Sequence, residues 1–233
     1  MKRHIVWMDH VRGAAILLVI AFHSSTLLRF GYETPELIAT LNAVFGPYRM
    51  PVLAFISGLI AHFSIRKEFG QFAWGKVRNL LWPYAVWTCI YAATIGRDYN
   101  LTDHELYISY LWYLMYIFVY YFASYATRAL PRIPLALIAF TIAAVIPSDI
   151  DAARRFFFLW GVFMLGELAS GKAADWAALI GTRWIYLCSL PVAAATYAIV
   201  VNDEQPVYDP AWLSATLAGV VIACAAAVSL ERW

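Results

Sequence analysis

The sequence predicts an all-α fold, a polytopic membrane helix bundle of about eight transmembrane helices with a cytoplasmic N-terminus. Three observations support this. First, the 233 residues are 63% hydrophobic and only 14% charged, with a mean hydropathy of +0.65. Soluble domains run at roughly 45–50% apolar and about 25% charged residues, and a water-soluble globule of this size could not hide so much apolar surface. Second, the apolar residues fall into runs close to the roughly 20 residues that a spanning helix needs. Third, Lys and Arg gather at alternate ends of those runs. The same figures disfavour a disordered chain, a nucleic-acid-binding domain and a secreted disulfide scaffold.

Candidate spans lie at 11–30, 43–63, 80–96, 107–127, 133–148, 155–170, 182–201 and 211–230. The first follows Lys2 and Arg3 as a signal peptide would. Asp9 and Arg12 intervene, however, and no small-x-small cleavage site follows, so it reads as a retained helix. Pro51 and Pro191 stand where they would bend the second and seventh spans. The fifth and sixth are short and joined by Pro147-Ser148-Asp149, so two crossings and a re-entrant pair both fit. Polar punctuators such as Tyr32-Glu33-Thr34-Pro35 and Asn202-Asp203-Glu204 separate the runs. No soluble domain, repeat or low-complexity tract interrupts them, and residues 1–233 read as a single membrane-embedded domain. Cys89, Cys188 and Cys224 all lie in apolar runs, where unpaired thiols behave as small buried hydrophobes. No set of residues has metal-ligand spacing.

With the N-terminus inside, the inner segments hold Lys2, Arg3, Arg66, Lys67, Lys76, Arg78, Arg128, Arg132, Lys172, Arg183 and Arg232. The outer ones hold few bases and most acids, among them Glu33, Asp98, Asp103, Asp149, Asp151, Asp203 and Asp209. This asymmetry supports N-in, C-in topology in a plasma (inner) membrane.

The first span carries the chemistry. Ionisable residues in a membrane helix are costly and usually face a protein interior or a wet cavity. Asp9, Arg12 and His23 are three of them. Eleven helical steps bring His23 back to the Arg12 face within about 20°, about 16 Å further along the axis. Asp9, three residues before Arg12, can pair with it. Ala15, Ile16, Val19 and Ile20 follow much the same stripe, and the small Ala15 leaves room beside Arg12. A neutral imidazole in an apolar surround is a competent general base. The plainer alternatives are an interhelical hydrogen bond for His23 and interfacial anchoring for Asp9 and Arg12.

These residues resemble the R-x10-H motif of the acyltransferase-3 family of integral-membrane O-acyltransferases. Trp7-Met8-Asp9, Arg12-Gly13 and His23 supply the first part of the resemblance. Tyr48-Arg49-Met50-Pro51 leading to Phe55-Ile56-Ser57-Gly58 is similar to the family's M-P…F-x-S-G stretch. Lys76-Val77-Arg78-Asn79-Leu80-Leu81-Trp82-Pro83-Tyr84 is similar to its K-x-R-x-L-L-x-P-Y segment, and Leu111-Trp112-Tyr113-Leu114 to its L-W-F/Y-L motif. The family's basic loop often has an R-x-x-R pair; here Asn79 occupies one of the usual basic positions. The resemblance covers residues 1 to about 125, and the family has roughly ten membrane helices. Eight candidate spans are what a short or C-terminally incomplete member would have.

The resemblance implies an O-acetyltransferase. It would move an acetyl or short acyl group from cytoplasmic acyl-CoA, a co-substrate rather than a bound cofactor, to a hydroxyl of a carbohydrate or lipid-linked envelope acceptor. His23 is then the general base, Arg12 orients the donor and Asp9 holds Arg12. Lys76, Arg78 and Arg66 are candidate partners for the phosphates of acyl-CoA, although plain positive-inside topology accounts for them equally well. Ser57, Arg49 and Trp112 are candidate linings of the transfer site. For Ser57, a small-residue helix contact beside Gly58 is the stronger expectation. Glu167 reads as interfacial, and Asp149, Asp151, Arg154 and Arg155 as an outer charge cluster. Asn100-Leu101-Thr102 is a formal glycosylation sequon. The expected partners are acyl-CoA, the acceptor and membrane lipids, with no nucleic acid.

A transporter or flippase without acyl-transfer chemistry is the alternative. Its usual pointers are repeated halves and paired broken helices, and neither appears. A haem protein would need axial ligands at matching depth on facing helices. His23 and His62 lie at opposite ends of their spans. A structural assembly subunit is the third reading.

Overall fold

The computed structural model describes residues 6–28, 35–94, 111–147, 149–170, 173–180, 182–203 and 208–231. Lys2, Arg3, the sequon at Asn100 and the acids of 95–110 lie outside the described residues, as do Lys172 and Arg232. Among the described residues every regular element is helical. In chain order these are α1 (Val6–Leu28), α2 (Glu36–Ile65), α3 (Phe69–Lys76), a π-helical segment (Val77–Leu81), α4 (Trp82–Thr94) and α5 (Trp112–Ala126). There follow α6 (Arg132–Val145), α7 (Asp151–Ser170), α8 (Ala173–Ile180), α9 (Arg183–Asp203), a 3-10 turn (Pro210–Trp212) and α10 (Leu213–Glu231).

Three stretches among the described residues are long and apolar enough to cross a membrane: Val6–Ser25, Glu36–Ile65 and Pro210–Glu231. The others are shorter or more polar. The 14 residues of α6 reach only about 21 Å, against a hydrocarbon core of about 30 Å. The chain forms two compact units, Met1–Leu59 with Arg132–Trp233, and Ile60–Pro131.

In the first unit α6 packs along α7, α9 along α10, and α1 against α10, while α8 touches both α7 and α10. The core is Phe158, Leu159, Val162, Phe163 and Met164 of α7 with Ala139 and Ala143 of α6 and Val220, Cys224 and Ala225 of α10. Cys224 is buried as expected, whereas Cys89 and Cys188 are exposed. Their helices are apolar nearly all round, so an apolar run alone does not tell which side meets the core.

Glycine sets a close helix contact between α2 and α7. A β-carbon at Gly58 of α2 would collide with the Phe163 carbonyl of α7, and one at Gly166 with the Phe55 carbonyl of α2. The small-residue contact expected beside Ser57 is therefore made by Gly58. Pro47 and Pro51 both lie within α2, and the helix continues through them.

Two arginines fasten this unit from within. Arg132 pairs with Glu167 at 2.7 Å, the carboxylate being only 3% exposed. Glu167 is therefore a buried partner, where the sequence suggested an interfacial one; the apolar neighbours that hid its depth are the core of α7. Arg154 is also buried, donating to the Ile146 carbonyl at 2.8 Å and to Asp209 at 3.3 Å. The expected outer charge cluster thus closes the α6–α7 turn onto the residues that open α10.

In the second unit the helical path runs from Phe69 to Thr94, through a π turn at Val77–Leu81 that touches α3, α4 and α5. The candidate spans at 43–63 and 80–96 leave the basic stretch between them as an inner loop. Only residues 66–68 between α2 and α3 are non-helical. Phe72 is the reason: buried, it stacks on Tyr125 at 4.6 Å and meets the edge of Phe122 at 5.2 Å, giving this charged stretch an apolar face.

Candidate functional site

The continuous α1 helix keeps Arg12 and His23 on a common side. Arg12 and Asp9 are exposed and His23 is half-buried. Ile16 and Ile20 on that side are 47% and 55% exposed. Ala15 belongs instead to the packed side of α1, with Trp7, Met8, Val11 and Ser25.

That packed side borders a cavity of about 430 Å³. α1 contributes His10, Val11, Ala14, Ala15 and Leu18, and α2 contributes Val44, Phe45, Tyr48, Arg49 and Val52. α10 supplies Gly219, Ile222, Ala223, Ala226, Ala227 and Leu230, and α9 supplies Ala193. The space exists because α1 and α10 meet through alanine and glycine. Tyr48 wedges between α9 and α10, donating to the Ala193 carbonyl at 3.1 Å with its ring over Gly219, where a β-carbon would strike it.

Arg49 joins this cavity to His23. Its guanidinium lies 3.8 Å from the centroid of Phe22, the residue before His23, and its charge is felt at the His23 ring. Asn42 fixes the two helices at the same end, donating to Ser25 Oγ at 3.0 Å, while Ser25 donates to the Phe22 carbonyl. The candidate span at 43–63 puts Arg49 near a helix end. Because α2 begins at Glu36, Arg49 stands well inside the helix. Ser57 is half-buried on the same helix and lines neither this cavity nor a second one beside Phe55 and Trp176.

The other candidates belong to the second unit. Lys76 donates to Ser64 Oγ at 3.1 Å with its Nζ 3.2 Å above the centroid of Tyr121. Burial, and secondarily the charge of Lys67, lowers its pKa to about 8. Arg66 and Arg78 are exposed, Arg78 within the π turn. Single π turns in helices recur at functional sites. Trp112 is buried and sits edge-on to Tyr116 at 5.0 Å. No group of three or more His, Cys, Asp or Glu side chains among the described residues could hold a metal ion.

The acyltransferase domain that defines the acyltransferase-3 family matches residues 5–150, more than half of the chain. The chain belongs to the acyltransferase-3 family. The matched stretch holds α1 with Arg12 and His23, all of α2, and the π turn. An Escherichia coli K12 protein, "Inner membrane protein YcfT", is 29% identical over 100 residues, covering 37% of this chain. The match spans 27% of that relative's length. No solved structure matches. Sequence reasoning named the family, but it missed the cavity, which no motif marks. The spacing of Ala14 and Ala15 against Ala223, Ala226 and Ala227 was its one available signal.

Proposed function

We propose that this acyltransferase-3 protein is a multi-pass plasma-membrane enzyme transferring an acetyl or short acyl group from cytoplasmic acyl-CoA to a hydroxyl of an envelope acceptor. The observation that carries the reading is the R-x10-H pair on one uninterrupted helix, inside the family match, with the Arg49 cation beside His23. The topology proposed with it is eight crossings with both termini inside, as the Lys and Arg asymmetry indicates.

His23 takes the proton of the acceptor hydroxyl as its oxygen attacks the thioester carbonyl. The carbon–sulfur bond breaks, and CoA leaves as a thiolate that is protonated in turn. Arg49, a cation at that depth, is suited to meeting the acceptor beside His23. Arg12 orients the donor, and Asp9 holds Arg12. The exposed Arg66 and Arg78 are suited to the phosphates of acyl-CoA. Lys76, already engaged by Ser64 and Tyr121, reads better as a structural tie.

The test is acyl release from radiolabelled acetyl-CoA in membranes, comparing the protein with His23→Ala at matched expression. General-base catalysis contributes about 100-fold or more, so the variant should lose at least that factor. Equal turnover in both removes His23 as the base. Absence of turnover and of acetyl-CoA binding in both favours a flippase.

A further inference from the structure

The cavity between α1, α2 and α10 is elongated and apolar, with one cation at one end. Along α1 it extends from His10 to Leu18, about 12 Å, and along α10 from Gly219 to Leu230, about 16 Å. Its middle is walled by Ala14, Ala15, Ala223 and Ala226. Such a space offers a flexible hydrocarbon chain van der Waals contact on several sides and offers a sugar almost no hydrogen-bond partners. It lies roughly a third of a turn around α1 from the side that carries Arg12, so it is separate from the path assigned to the acyl donor.

Arg49 supplies the second observation. Its Nη1 is shut off from solvent with no hydrogen-bond partner, and no carboxylate among the described residues pairs with it. A cation held at such depth without an anion is costly. A phosphate would repay that cost, because a guanidinium binds it through two parallel N–H donors.

We propose that this cavity holds the hydrocarbon tail of a phosphate-bearing membrane amphiphile, with its phosphate on Arg49 and its headgroup therefore beside His23. The inference deepens the acyltransferase reading, on which it rests, by making the acceptor lipid-linked rather than a free carbohydrate. The tail runs from Arg49 toward His10. Charge and shape then select the acceptor together: a chain without phosphate leaves Arg49 unpaired, and a phosphate without a chain leaves the cavity unfilled.

The experiment uses the full chain in a neutral sugar-headed detergent and a polyprenyl phosphate carrying a photoreactive group and an alkyne on its tail. Labelling should fall on peptides of α1 and α10. Arg49→Gln should weaken it by about tenfold, the loss of a charge-assisted contact, while Arg49→Lys, which keeps the charge but not the paired donors, falls between the parent and Arg49→Gln. Ala223→Phe, which fills the cavity, should abolish it; if that variant fails to fold, Arg49→Gln still decides. The matching uncharged polyprenol should label about as weakly as Arg49→Gln. Equal labelling by phosphate and alcohol, or labelling indifferent to Arg49→Gln, overturns the proposal. So does displacement by long-chain acyl-CoA at lower concentration than by unlabelled polyprenyl phosphate, which would assign the cavity to the donor. No acyl donor is present, so a failure of the transferase reading leaves this labelling intact. Conversely, loss of labelling leaves acetyl-CoA turnover to be judged on its own.

Discussion

Gly58 of α2 faces the carbonyl of Phe163 on α7 with no room for a β-carbon, and three residues further along α7 the relation is reversed, Gly166 facing the carbonyl of Phe55. Each helix thus lends the other a glycine, one turn from the carbonyl it receives. Close backbone approach of this kind replaces the hydrophobic drive that lipid-facing helices lack. Gly58→Ala or Gly166→Ala should each cost about 1–3 kcal/mol by overpacking, since the obstacle is backbone and cannot rotate away. Thermal unfolding of the detergent-solubilised protein reads this directly. An alanine at either position with an unchanged midpoint would mean that the two helices do not meet here.

The Arg132–Glu167 pair calls for a double-mutant cycle. With the two side chains 11% and 3% exposed, removing one takes the close opposite charge away from the other in the interior. Glu167→Gln and Arg132→Met should each destabilise by about 3–5 kcal/mol. The double variant should recover much of that loss, because the pair's own net worth is small. Strict additivity in chemical unfolding would show that the two side chains act independently.

Lys76 makes stability depend on alkaline pH. Lysine titrates near 10.5 when free, and burial first, then Lys67, brings Lys76 to about 8. The folded protein therefore gives up this proton before the unfolded chain does, and stability rises as the pH climbs from about 8 toward 10.5. Below about 8 the cost of the buried charge is felt in full. Lys76→Met should flatten this rise when unfolding midpoints are compared across that window. If the parent protein and the variant keep the same slope, the tie to Ser64 and Tyr121 holds a lysine with ordinary titration.

The sequence disclosed the helical class and the family because both are written in local pattern: apolar runs of spanning length, and motifs such as Arg12…His23 whose spacing is fixed within one helix. It disclosed less where the decisive partner lies far along the chain. Glu167 looked interfacial because Arg132, 35 residues earlier, is invisible from its neighbourhood. Arg154 looked like surface charge because Asp209 and the Ile146 carbonyl that hold it belong to other elements. The 64–80 stretch looked like a loop because its charges were read and the buried face of Phe72 was not. Arg49 was set too near the helix end, since the polar start of α2 hid where that helix begins. The alanine-lined cavity is a relation between residues more than 200 positions apart, and the spacing of small residues on each helix was its one signal.

The π turn at Val77–Leu81 has a bearing on how this chain can vary. One extra residue in the hydrogen-bond ladder advances everything after it by about 100° around the axis. A surface loop absorbs a gained or lost residue at little cost, but a helix interrupted in this way cannot. Deleting one residue from this turn would restore a regular ladder and swing Pro83 and Tyr84 to another azimuth, taking the buried Tyr84 out of its packing. The stretch from Lys76 to Tyr84 thus acts as a phase lock. It should accept changes of side chain far more readily than a change of length.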